Sequence, residues 1–149
     1  MPLIYRAMQR EGDRPRIGPS KSMLGVKAGA DEHDDIAPDR QGIVRPGTGG
    51  MSVAPAWRDL PAHRIPQRLR GLCSKARGSD KLECWRMSSG PFADGPITDR
   101  LNLAVDHATH GVVEPSIAMP LPDYEDALSA TADQWTIDPE TSSSIPAAT

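Results

Sequence analysis

Between Gly42 and Pro55 the sequence GIVRPGTGGMSVAP sets two hydroxyls, Thr48 and Ser52, around a turn rich in glycine. Glycine admits positive φ and lets a ligand or another backbone come close. Ile43, Val44 and Val53 on either side favour strands. The stretch therefore reads as a strand, a Gly-rich turn and a second strand that presents both hydroxyls, although an ordinary tight loop has a similar composition. Near the start, PLIYRAM carries Arg6 in a short apolar run. A charge there needs a partner or an outlet into a cleft; the alternative is an edge strand with its arginine in solvent. Late in the chain, Glu114 follows Val112-Val113 and precedes Pro115, which calls for extended backbone.

Three other groupings could do chemistry. ADEHDD, with His33 inside it, offers oxygen and imidazole ligands to a hard metal, but consecutive residues cannot all face one ion. A solvated loop competes with that reading, with Ile36 as the residue that pins the loop, and no metal ligands are assigned. Trp57 to Lys81 holds seven cations, Arg58, Arg64, Arg68, Arg70, Lys75, Arg77 and Lys81, against Asp59 and Asp80. Such a segment could hold the phosphates of a dinucleotide or a nucleic acid, or be a solvated linker and helix face. Cys73 and Cys84 lie in no CxxC and no zinc-knuckle spacing. Two free thiols are expected, with a disulfide across their loop left open.

The elements that position these residues follow from periodicity. In Pro2–Met8 a strand puts Leu3, Tyr5 and Ala7 on one face and Ile4 and Arg6 on the other. Gln9–Ser22 reads as loop and 23–26 as a short extended piece. Gln67–Lys75 could form a short helix. In 97–110, Ile97, Leu101, Ala104, Val105 and Ala108 have helical spacing, with Thr98 or Asp99 as cap and Gly111 as C-cap. Val112–Pro115 is a short strand. Pro122–Trp135 reads as a second helix, with Pro122 in its first turn, Asp123, Glu125 and Asp126 at its positive end, and Tyr124, Leu128, Thr131 and Trp135 as the buried stripe. Residues 136–149 read as a disordered tail.

Composition bounds the rest. A chain of 149 residues with 38% hydrophobic and 4% aromatic residues can bury one modest aliphatic core. Thirteen glycines and fifteen prolines imply many turns and short elements. A net charge of −3 gives no global nucleic-acid signal. The charge is nevertheless segregated: ten acids after Phe92 face the single Arg100, so the acidic end is expected to pair with the basic middle. No apolar run is long enough to span a bilayer. The first residues lack the apolar stretch of a secretory signal. A soluble cytoplasmic protein is expected, and any export must use a route without a cleaved signal.

Three blocks carry a resemblance. Ile4-Tyr5-Arg6-Ala7, Pro46 to Val53, and His110 to Met119 together resemble the type VI secretion effector toxins of ADP-ribosyltransferase-like fold. Met51 departs from that pattern, standing where a second hydroxyl would neighbour the serine, and the basic insertion around Cys73 has no counterpart in it. The resemblance implies a mixed α/β (α+β) domain over 1–135, built on a small split β-sheet with C-terminal helices. It implies NAD as co-substrate, whose nicotinamide leaves through a cationic, oxocarbenium-like sugar. Arg6 would hold phosphate or the nicotinamide ribose through its planar fork. Thr48 and Ser52 would support the nucleotide from the Gly-rich block, Ser52 also assisting the chemistry. Glu114 would bond the ribose and offset positive charge, with His110 as the other catalytic candidate, an orienting or acid/base group.

The expected function is thus an NAD-dependent ADP-ribosyltransferase-like toxin acting inside a target cell and neutralised by a cognate immunity protein, with the target macromolecule unspecified. Two alternatives stand beside it. One is a non-catalytic module that uses segment 57–81 to hold nucleic acid or an acidic partner. The other is half of a toxin–antitoxin pair whose partner covers the cleft. Arg6, Ser52 and either Glu114 or His110 should share one cleft if the enzyme reading holds.

Overall fold

A computed structural model describes residues 1–142. Strand β1 (Ile4–Glu11) runs into β2 (Arg14–Pro15) through a tight turn at Gly12. After a long loop come β3 (Ile43–Val44), β4 (Met51–Val53), three short 3-10 turns between Trp57 and Leu69, and β5 (Leu82–Met87). Then follow β6 (Gly95–Pro96), β7 (Leu101–His107), β8 (His110–Pro115), β9 (Met119–Pro120), helix α1 (Leu121–Ser129) and β10 (Thr136–Ile137). One sheet has the order β10-β5-β1-β2 and another β4-β8-β7-β6, with β3 and β9 as a separate pair. The two larger sheets meet where Tyr5 and Ala54 exchange backbone hydrogen bonds of 2.8 and 3.0 Å, then part. This is a mixed, mostly β, split-sheet fold.

The alternation expected along β1 holds. Ile4 and Met8 enter the main core with Met51, Val53, Trp85, Leu103, Val113 and Tyr124. Tyr5 and Ala7 enter a second cluster with Trp57, Leu60, Ile65 and Cys84, against which Leu3 packs. β1 is not an edge strand, and Arg6 is only 4% exposed. Ile36 does pin its loop, being buried in the main core.

The helix expected over 97–110 is instead the β7–β8 hairpin, closed at Ala108–Thr109. The same residues carry two periods. Leu101 and Leu103 are buried while Asn102 and Ala104 are not, the two-residue repeat of a strand. Pairing with Val112 and Val113 decides between them, because β-branched neighbours complete a sheet that a lone helix would leave open. Gly111 is not a C-cap but a paired residue of β8, where a side chain would meet the Ala104 carbonyl at 3.0 Å.

Among the described residues one α-helix, α1, forms at the C-terminal end. It ends at Ser129, and a 3-10 turn, Ala132–Gln134, leads to Trp135. The expected stripe is buried all the same: Tyr124, Leu128, Thr131 and Trp135. Pro122 lies in the first turn. The expected helix in 67–75 is a single 3-10 turn, Gln67–Leu69, entered from Pro66. Within the stretch expected as a disordered tail from 136, Thr136–Ile137 pairs with Arg86 and Trp85 of β5 and a 3-10 turn, Pro139–Thr141, follows. The remainder of that stretch, 143–149, lies outside the described residues.

The acidic end and basic middle do pair at one point. Arg58 grips Glu140 with two bonds of 2.9 Å, and Trp57 Nε1 donates to the same carboxylate at 2.8 Å. Both cysteines are free, and burial pushes the Cys84 thiol up to about 12.

Candidate active site

β3 and β4 flank the Gly-rich turn as expected, but they pair with β9 and β8 and not with each other. Gly47 and Gly49 take φ of 86° and 111°, and a side chain on Gly50 would lie 2.3 Å from the Val113 carbonyl oxygen. The glycines thus serve close backbone approach. Tyr124 of α1 locks the arrangement. Its hydroxyl accepts from Met51 N and donates to the Val113 carbonyl, and burial holds its proton on well above the ordinary range.

A cleft of about 730 Å³ opens where the two sheets part. Arg6 from β1, Ser52 from β4 and His110 from β8 all line it, together with Arg64, Asp35 and, at the hairpin tip, Asp106, His107 and Thr109. All four histidines of the chain face it: His33, His63, His107 and His110. Two expected residues do not. Thr48 is exposed and its hydroxyl donates to the Arg45 carbonyl at 2.7 Å, closing its own turn. Glu114 turns to the other end of β8 and accepts from Gly47 N at 2.9 Å.

The partners of each side chain define what it has left to offer. Arg6 Nη1 donates to Ser52 O at 2.8 Å; Nε reaches Met23 O, and Nη2 reaches Ser20, Met23 and Gly25 carbonyls. Burial, only partly offset by Asp35, pushes this guanidinium down to about 10. Of its five donors, one N–H on Nη1 remains. Ser52 Oγ makes no hydrogen bond among the described residues. Arg64 is half-buried and its guanidinium has neither a hydrogen bond nor an ion pair among them. Desolvation lowers its pKa, against the pull of Asp35. Desolvation, with Arg64 and Arg77 nearby, also holds His63 below the ordinary imidazole value.

At the hairpin tip both Asp106 oxygens lie 2.8 Å from His110 Nδ1. Partial burial would raise the Asp106 carboxyl, but the His110 hydrogen bond, with His110 and His107 nearby, holds it below its ordinary value. An ionised carboxylate only accepts, so Nδ1 is the donor of this bond, and in the neutral ring that tautomer leaves the Nε2 lone pair free. A base oriented by a carboxylate is a pattern able to move a proton.

Asp106, His63 and His107 were not singled out from sequence, and Arg64 was named only as one of seven cations. The Asp106-x-x-x-His110 spacing was legible, but only the two-residue turn brings the pair together. Arg64 looked like its six basic neighbours. Their fates differ: Arg58 is taken by Glu140, Arg68 by Glu83 at 2.6 Å, and Arg70 by the Ala76 carbonyl.

A split mixed sheet around a polar cleft of this kind is a fold of ADP-ribosyltransferase type. A family model for Tse2 ADP-ribosyltransferase toxins matches residues 4–139, and the chain belongs to that toxin family, a type VI effector family. No match is found among curated proteins. Among the described residues no helix is long and apolar enough to cross a membrane.

Proposed function

We propose that the chain transfers ADP-ribose from NAD to a nucleophile on a macromolecule inside a target cell, and that the cleft between the two sheets is where it does so. The observation that carries this is the convergence on one cavity of Ser52, of Arg64, which has no partner among the described residues, and of the oriented His110. Its volume falls within the range of small-ligand sites, roughly 300–1,000 Å³.

Arg64 takes the pyrophosphate, because its planar fork is free and half-desolvated, which strengthens a charge-assisted bond. Arg6 acts as the positioning residue: it fixes loop 20–25 and β4, and its remaining Nη1 proton reaches toward the nucleotide. Ser52 offers a hydroxyl to the ribose or amide. NAD supplies an electrophilic ribose carbon whose bond to nicotinamide breaks, the electron pair leaving with the ring, as the acceptor bonds to that carbon. The acceptor's proton goes to His110 Nε2, and Asp106 stabilises the resulting imidazolium. Glu114 and Thr48 serve the turn that shapes the rim.

The basic-segment alternative is weakened because Arg58, Arg68 and Arg70 are committed to internal partners. A cognate immunity protein and export by a type VI apparatus complete the reading. Nicotinamide release from NAD by the purified chain, together with toxicity on expression relieved by the product of the neighbouring reading frame, tests it. A chain that neither binds NAD in calorimetry nor releases nicotinamide overturns it.

A further inference from the structure

We propose that the tip of the β7–β8 hairpin is a transition-metal site, in which Asp106, His107 and His110 bind a borderline divalent cation of the zinc type. Adjacent strand residues normally point to opposite faces. Here the ladder shifts register between Val105 and His107, a bulge that frees Asp106 and His107 from that alternation. His107 and His110 stand directly opposite across the two-residue turn, their ring centroids 5.5 Å apart. One ligand atom from each of the three residues lies within 4.8 Å of the others.

The distances suit a metal. Zinc–ligand bonds of about 2.0–2.2 Å put tetrahedral ligand atoms roughly 3.3–3.6 Å apart. The hairpin has His110 Nδ1 at 2.8 Å and His107 Nε2 at 4.0 Å from Asp106 Oδ1, which bracket that spacing. Two imidazoles and one carboxylate favour zinc, copper or nickel over magnesium and calcium, which prefer oxygen ligands. The cation would replace the proton shared by His110 Nδ1 and Asp106, and a fourth position would stay open to water.

One consequence rests on the proposed role of His110. Coordination through Nδ1 leaves the neutral ring's proton on Nε2, so the metal-bound residue has no lone pair for the acceptor's proton. Zinc would then suppress transfer reversibly.

Titration of the purified full chain with zinc against a chromophoric chelator, and with cobalt followed by its visible absorption, tests the site in the absence of NAD. One equivalent should bind, unaffected by excess magnesium or calcium. Asp106→Asn and His107→Ala should each weaken binding at least tenfold, while His33→Ala, elsewhere in the same cleft, should not. Circular dichroism melts confirm that the variants fold, as side chains at a hairpin tip should allow. Equal affinity in all three variants, or equal loss in all three, overturns the site. One-equivalent binding at this site with unchanged nicotinamide release supports the site and removes His110 as the base.

Discussion

Arg6 Nη1 donates to the carbonyl of Ser52 across a distance of 2.8 Å, linking the first strand of one sheet to the first strand of the other. The two strands stop pairing just beyond the Tyr5–Ala54 bridge. Loop 20–25 enters there, and Arg6 donates to three of its carbonyls, Ser20, Met23 and Gly25. A buried cation thus holds open the split from which the cleft arises, and its positive charge is met by oriented backbone dipoles rather than by a carboxylate in contact.

Arg6→Met should therefore act on stability first. It takes a donor from four buried or half-buried carbonyls, those of Ser20, Met23, Gly25 and Ser52, a loss of about 3 kcal/mol or more. For a chain of this size that lowers Tm by roughly 6–12 °C. Arg6→Lys should restore only part of it, since an ammonium cannot span the same acceptors. Differential scanning calorimetry reads both. A Tm unchanged in Arg6→Met would return Arg6 to the role of a ligand arginine.

Arg64→Ala should do the opposite. With no hydrogen-bond or ion-pair partner among the described residues to abandon, Tm should stay near that of the parent chain. The KM for NAD should rise roughly 10–100-fold, the worth of one charged hydrogen bond of about 1.5–3 kcal/mol, with kcat less affected. Steady-state nicotinamide release checks it, and an unchanged KM would move the pyrophosphate elsewhere in the cleft.

His110→Ala should lower turnover on the order of 10²–10⁴-fold, as expected for a lost general base. Asp106→Asn should lower it less, by loosening the imidazole's orientation. Glu114→Gln should stay close to the parent, because its amide oxygen can still accept from Gly47 N. Toxicity on expression without an immunity partner, paired with the in vitro rate, ranks the three. A severe Glu114→Gln and a mild His110→Ala would reverse the assignment.

Acid should release the C-terminal clamp. The Arg58 and Trp57 hydrogen bonds, with the Arg58 charge, hold Glu140 below its ordinary value of 4.5. A carboxylate depressed in the folded chain contributes stability above its unfolded value and loses it as pH falls through the folded one. The clamp should persist at neutral pH and open below about pH 4.5, the ordinary value from which that loss begins. Trp57 fluorescence should report the opening, and Glu140→Gln should remove the transition. The same transition in that variant would assign it to another carboxylate.

Local chemistry was legible wherever a residue's immediate neighbours settle its state. The alternation of Ile4, Tyr5, Arg6 and Ala7 predicted β1 and its two faces, because a two-residue repeat needs no knowledge of the partner strands. The glycines of 47–50 predicted the turn, the valines before Pro115 predicted β8, and the Tyr124–Leu128–Trp135 spacing predicted the buried stripe. Stretch 97–110 shows where this stops. Its apolar residues fit both a helix and a strand, and only pairing with Val112 and Val113, set by long-range packing, decides. The blocks that resemble the toxin family lie in these locally determined parts, so the family was readable while the disposition of the site was not. Ser52 and His110 face the cleft because β4 and β8 are neighbours in one sheet, and Glu114, on the same strand, is turned to the Gly47 turn. Arg6 and Arg64 are the same side chain in sequence. The fold surrounds one with carbonyls and leaves the other without a partner among the described residues, and hydrogen-bond satisfaction of that kind exists only once distant backbone has been brought into place.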